Sequence, residues 1–233
     1  MYLKSYFFLV IFLGFYGIGD SVATAIDSSS NCPGISVYVD SKSSKNLALV
    51  CDGAEKALAF FQSHEIEIKR PIRIKLHAAG INKYPAHIGL YSSKKDQIDL
   101  LSLEQAKLLC ARLRPFSMPM NESLYLSFVA HEVAHAIADQ NLQKRPSSLI
   151  VHEYLAYVTQ FATMDLQPQT EILQHYNLEP FQGMENMSLT YYKLNPSAFG
   201  VKVFLHYQSL PNQSLFVQGL LSGLIKPEAH DLE

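Results

Sequence analysis

A chain of 233 residues is long enough for one domain with a sizeable hydrophobic core. With 48% hydrophobic and 17% charged residues it cannot be a wholly disordered polymer. A net charge of -2 and a pI near 6.5 exclude the basic footprint of a nucleic-acid binder and a polybasic membrane patch.

The first unit is residues 1–25. Lys4 supplies a positive charge, Ser5 to Gly19 is almost wholly apolar and uncharged, and Ala23-Thr24-Ala25 offers small residues before a cleavage point. This is the layout of a secretory signal peptide. Its apolar run falls short of the roughly 20 residues that span a bilayer, although an uncleaved anchor is the competing reading. The expectation is an exported protein, periplasmic or secreted, whose residues 26–233 form a single domain with no stable membrane span. Cys32, Cys51 and Cys110 follow. An exported compartment permits disulfides; Cys32–Cys51 is the preferred pair, and Cys110 reads as a buried thiol.

Further along, Ser28 to Asn31 and Ser41 to Lys45 are polar and turn-like. Ile35 to Val39 alternates as a strand does, and Leu47 to His64 carries apolar residues at helical spacing. Pro71 to His77 alternates with period two, placing Ile72, Ile74 and Leu76 on one face. His87 to Tyr91 and Gln97 to Leu101 read as a hairpin around the Ser92–Asp96 loop. The second half is helical: Leu103–Leu113, a helix from Asn121-Glu-Ser to Asn141, and one opened by Pro146 and running to about Met164. Thr170–Tyr176, Leu189–Tyr207 (interrupted near Pro196 and Gly200) and Gln213–Ile225 complete it. The order predicts an α+β fold, a small mixed sheet packed on the helix that carries the chemistry, with a helical C-terminal half from about residue 121.

That helix holds His131-Glu132-Val-Ala-His135, an HExxH sequence. Residues i and i+4 share a helical face, so two imidazoles there can bind one tetrahedral Zn²⁺. Glu132 is rotated off that ray and can serve as general base toward zinc-activated water. At this chain's His and Glu content the motif arises by chance in roughly one or two chains per hundred, so a third ligand has to be found. Glu153 lies on the following helix amid Leu149, Ile150, Val151, Tyr154 and Leu155, and a carboxylate buried there needs a partner. His152 competes, but it points about 100° away from Glu153 on a helix, so only one of them faces the metal. Asp139 is either a hydrogen-bond partner for His135 or a surface residue near the helix end.

HExxH followed by Glu153-Tyr-Leu-Ala156-Tyr157 resembles the gluzincin metallopeptidases, of which thermolysin and the zinc aminopeptidases are the best known. The resemblance covers about Pro71 to Met164; beyond it, the whole chain looks like a bacterial exported family. It implies His131, His135 and Glu153 as zinc ligands, Glu132 as base, and a peptide or protein substrate held along a sheet edge. It also implies an oxyanion-stabilising Tyr or His, for which Tyr191, Tyr192, His206 and Tyr207 lie in later segments. His206 and Tyr157 are the residues expected to act. The chain departs from the family where Tyr154 replaces the glycine of Glu-Gly-x-Ala. No exopeptidase Gly-x-Met-Glu-Asn loop precedes HExxH. The expected function is a zinc-dependent hydrolase of the metallopeptidase type. A zinc-containing, non-catalytic binding module of the cell envelope is the alternative.

Overall fold

The computed structural model describes residues 29–41, 43–81, 86–143 and 148–227. The signal-peptide reading of residues 1–25 and the helix start at Pro146 lie outside them. Within them the architecture is α+β: a mixed five-stranded sheet followed by a helical C-terminal half. No described helix is long and apolar enough to cross a membrane.

Strands β1 (Ser29–Asn31), β2 (Val37–Asp40), β3 (Ile72–His77), β4 (Gly89–Ser92) and β5 (Gln97–Leu101) lie in the order β1-β2-β3-β5-β4. Helix α1 (Ser44–Ser63) makes the crossover between the parallel strands β2 and β3. β3 also runs parallel to β5, while β4 is antiparallel and forms the outer edge. Period-two burial sets the faces: Ile72 and Ile74 point into the core and Arg73 and Lys75 out to water. The polar segment at residues 28–31, read above as a turn, supplies β1. Its backbone pairing with β2 gives no hydrophobic signal in the sequence.

Helix α2 (Leu103–Leu113) leads to α3 (Glu122–Asn141), which starts where Asn121 accepts a hydrogen bond from the Leu124 amide. Fourteen of its twenty residues are buried, because α3 is packed between α1, α4 (Leu149–Thr163) and strands β4 and β5. A helix covered on nearly every side shows little amphipathic bias. Its alanines at 130, 134, 136 and 138 keep the neighbouring elements close. Helices α5 (Leu166–Tyr176), α6 (Leu189–Leu194), α7 (Pro196–Ser209) and α8 (Gln213–Ser222) complete the chain. The break expected inside Leu189–Tyr207 falls at Asn195, which caps α7, and Gly200 stays helical. A methyl group at Gly200 would strike the Tyr157 ring, so the glycine lets α7 lie flat against α4.

Cys32 and Cys51 form a disulfide that ties the β1–β2 connection to α1, and Cys110 is a buried free thiol. The bond closes a loop with a sequence separation of 19. Loops of that size contribute about 3 kcal/mol in the chain-entropy account. Reduction should therefore lower the melting temperature by roughly 6–12 °C for a domain of this size. A melting curve indifferent to reductant would remove the disulfide from the stability account.

Candidate functional site

Helix α3 presents His131 and His135 one turn apart, and α4 brings Glu153 against them. The two Nε2 atoms lie 3.2 Å apart. Glu153 Oε2 is 3.8 Å from His131 Nε2, and its Oε1 is 3.7 Å from His135 Nε2. Among the described residues, these three form a group whose ligand atoms all lie within 4.8 Å of one another. A tetrahedral ion with bonds of about 2.0–2.1 Å requires ligand-to-ligand edges of about 3.3 Å, so the triangle is close to the right size.

The contacts are not ion pairs. Burial pushes the His131 imidazole down to about 4, against a hydrogen bond to Gln160, and holds His135 well below its ordinary value. Burial also pushes Glu153 up to about 7, with the neighbouring Tyr192 hydroxyl opposing. Oε2 of Glu153 is buried without a hydrogen-bond partner, an arrangement that ordinarily costs more than a neutral orphan's roughly 1–3 kcal/mol. Neutral imidazoles whose Nε2 atoms converge and an orphaned carboxylate oxygen fit a divalent cation, whose charge would reverse the carboxylate shifts.

Glu132 is buried but turned off this triangle, toward the edge strand. Its Oε2 accepts a hydrogen bond from the Tyr91 amide at 3.0 Å. Burial, then the nearby Glu153 charge, push it up to about 8, with the Tyr91 amide opposing. Gly89 makes this approach possible: a methyl group there would lie within 2.8 Å of the Glu132 carboxyl carbon. The strand itself is held by a polar cluster. Arg70 bonds Asp96 through Nε at 2.5 Å and Nη2 at 3.0 Å, and reaches Asp139 at 3.2 Å. The Tyr91 hydroxyl lies 3.0 Å from Asp96 and 3.1 Å from Asp139. Asp139 is therefore a buried tie between α3 and the β4–β5 hairpin. It is not a surface residue.

A cavity of about 410 Å³ opens over the group, lined among others by Leu90, Ser93, His152 and Tyr192. His152 sits at its wall, with its ring 6.0 Å from that of His135, and does not join the triangle. A second cavity of about 450 Å³ shares His131, Glu132 and Tyr192, and most of its remaining wall is apolar, including Leu113, Phe116, Phe128 and Pro196 beside His87, Tyr157 and Ser197. Its wall holds Phe116 at positive φ, with the Phe116 amide donating to Ser197 Oγ at 3.0 Å.

Two expectations are redistributed. Tyr157 is present but packs edge-on over His131, 4.8 Å between ring centres. His206 is elsewhere: its Nδ1 meets the Tyr154 hydroxyl at 2.9 Å, its ring packs on Phe216, and it lines neither cavity. That side chain lies two turns beyond Phe199 along α7, at the end of the helix that meets Phe216 of α8. Tyr192, on the short helix α6, lines both cavities instead, the first of them together with Glu153. Gly89, Tyr91 and Gln160 were not singled out above; a glycine inside a short strand was the available hint of a close approach.

The chain belongs to DUF6639, a family of unknown function, whose model matches residues 37–230. No curated protein and no solved structure matches it.

Gly89→Ala should leave the fold and metal binding intact while displacing the Glu132 carboxylate from the Tyr91 amide. A crystal structure of the variant with Glu132 unmoved would contradict this close-packing account. In metal-free protein the raised Glu132 value means that stability is full below the unfolded carboxylate pKa and is lost as pH rises through about 8. Glu132→Gln should thus raise the melting temperature of the metal-free chain. The gain should grow from about pH 5 to about pH 8; a pH-independent difference would argue that Glu132 is not desolvated.

Proposed function

We propose that this protein is an exported zinc-dependent hydrolase that cleaves peptide bonds. One observation carries the reading: three converging donors, His131, His135 and Glu153, with a separate carboxylate, Glu132, beside them in an open cavity. Three protein ligands with room for a fourth is the pattern of a catalytic zinc site, whereas structural sites are closed by four. Two imidazoles and a carboxylate suit zinc, and the HExxH arrangement favours it over other first-row ions.

A bound zinc ion supplies a Lewis acid and lowers the pKa of water beside it toward about 7. Glu132 takes a proton from the attacking water as its oxygen bonds to the peptide carbonyl carbon. When the carbon–nitrogen bond breaks, Glu132 returns that proton to the leaving amine. Tyr192 replaces His206 and Tyr157 as the donor best placed for the developing oxyanion. The edge strand β4 beside the cavity suits an extended peptide, which can add to a sheet edge through its backbone. The second, mostly apolar cavity suits an uncharged, bulky side chain of that peptide. Export is supported by the layout of residues 1–25 and by the Cys32–Cys51 bond.

Zinc titration of the metal-free protein should give one site per chain, strongly weakened in His135→Ala. Glu132→Gln should keep zinc but lose peptide hydrolysis by a factor of about 10² or more. Tyr192→Phe should keep zinc and lower kcat by roughly 10²-fold. A chain that takes up no zinc would end the proposal. One that binds zinc but hydrolyses no peptide from a diverse library would favour the binding-module alternative.

A further inference from the structure

The direction of the hydrogen bonds behind His131 determines which of its ring nitrogens faces the triangle. Ser127 has a single hydroxyl proton, and its Oγ lies 2.7 Å from the Leu124 carbonyl oxygen, which can only accept. Were that proton turned elsewhere, two lone-pair oxygens would face each other at 2.7 Å. Ser127 is therefore committed as a donor to Leu124 and can only accept from its other neighbour. That neighbour is the Gln160 side-chain amide, 3.3 Å away. The end of the amide facing Ser127 must be the NH₂ group, so the end facing His131 is the carbonyl oxygen, 3.0 Å from Nδ1. An amide oxygen there accepts only from a protonated Nδ1, which leaves Nε2 as the imidazole's lone pair. Nε2 is the atom that faces His135 and Glu153.

We propose that Ser127 and Gln160 form a one-way hydrogen-bond relay that holds His131 in its Nδ1–H tautomer and so presents Nε2 to the metal. Both are positioning residues and neither touches the triangle. Each is essentially fully buried, Ser127 at 1% and Gln160 at 0% exposure, so water cannot substitute for either. The two lie on different helices, α3 and α4, so the relay also fixes the rotation of the first ligand against the helix that supplies Glu153. A neutral amide suits this place. Glu132 and Glu153 already put two carboxylates in the same buried space, and a third would add to their repulsion. Such partners of a metal-bound histidine commonly govern affinity by about 10–100-fold.

The metal half of this inference rests on the zinc reading above; the tautomer half does not, and the test separates them. Long-range ¹H–¹⁵N correlation spectra of the metal-free wild type should show His131 as a neutral ring protonated on Nδ1. Gln160→Met, which keeps the volume but removes the acceptor, should shift His131 toward the Nε2–H form and weaken zinc binding by about 10–100-fold. Gln160→Glu, which restores an acceptor, should return the Nδ1–H form. Ser127→Ala frees the amide to turn and should give mixed tautomers; it tests the relay should Gln160→Met not fold. An Nε2–H His131 in the wild type, or zinc affinity and tautomer both unchanged in Gln160→Met, overturns the relay even if the chain binds zinc. An Nδ1–H His131 in a chain that binds no zinc leaves the relay standing and removes the metal site.

Discussion

Two imidazoles and two carboxylates share one buried space between α3, α4 and the edge strand β4. Burial keeps the imidazoles neutral, favours protonation of the carboxylates, and strands one Glu153 oxygen without a partner. In the absence of a cation this arrangement opposes folding, since each group sits in the protonation state that desolvation favours rather than the one water favours. Much of the surrounding structure is explained by keeping these groups together. The alanines of α3 let α1 and α4 close around it. The Arg70–Asp96–Asp139–Tyr91 cluster pins the hairpin, and Gly89 lets Glu132 lie against the strand.

Glu132 and Glu153 are given different tasks by direction rather than by chemistry. Glu153 converges with the histidines, with Tyr192 in the same cavity wall. Glu132, one residue after His131, is carried about 100° round the helix and meets a backbone amide instead. A backbone donor from a pinned strand holds a carboxylate without supplying a countercharge. That leaves it able to exchange a proton, which a salt-bridged carboxylate does far less readily.

Much of the fold was legible because burial leaves a periodic trace. Ile72 and Ile74 marked β3, Asn121 marked the start of α3, and α2 spans Leu103–Leu113 as expected. β1 left no trace, since three polar residues at a sheet edge pair through backbone alone. The site divides the same way. His131, Glu132 and His135 follow from helical spacing, and Glu153 from an acidic residue in an apolar run. Tyr192 could not be chosen over His206 from sequence, because both sit on late helices and only the packing of α6 and α7 decides which faces the group. Gln160 and Ser127 are ordinary polar residues whose role depends on an interhelical contact. Gly89 and Tyr91 matter through a backbone approach that no side-chain pattern encodes.

The central claim is that His131, His135 and Glu153 hold one metal ion in an open site. Zinc K-edge X-ray absorption on the zinc-loaded protein tests it most directly. The account predicts two imidazole nitrogens and one carboxylate oxygen at about 2.0–2.2 Å with a further light oxygen ligand, and loss of one imidazole in His135→Ala. A shell of four protein ligands, a sulfur ligand from Cys110, or a spectrum unchanged by His135→Ala would contradict it.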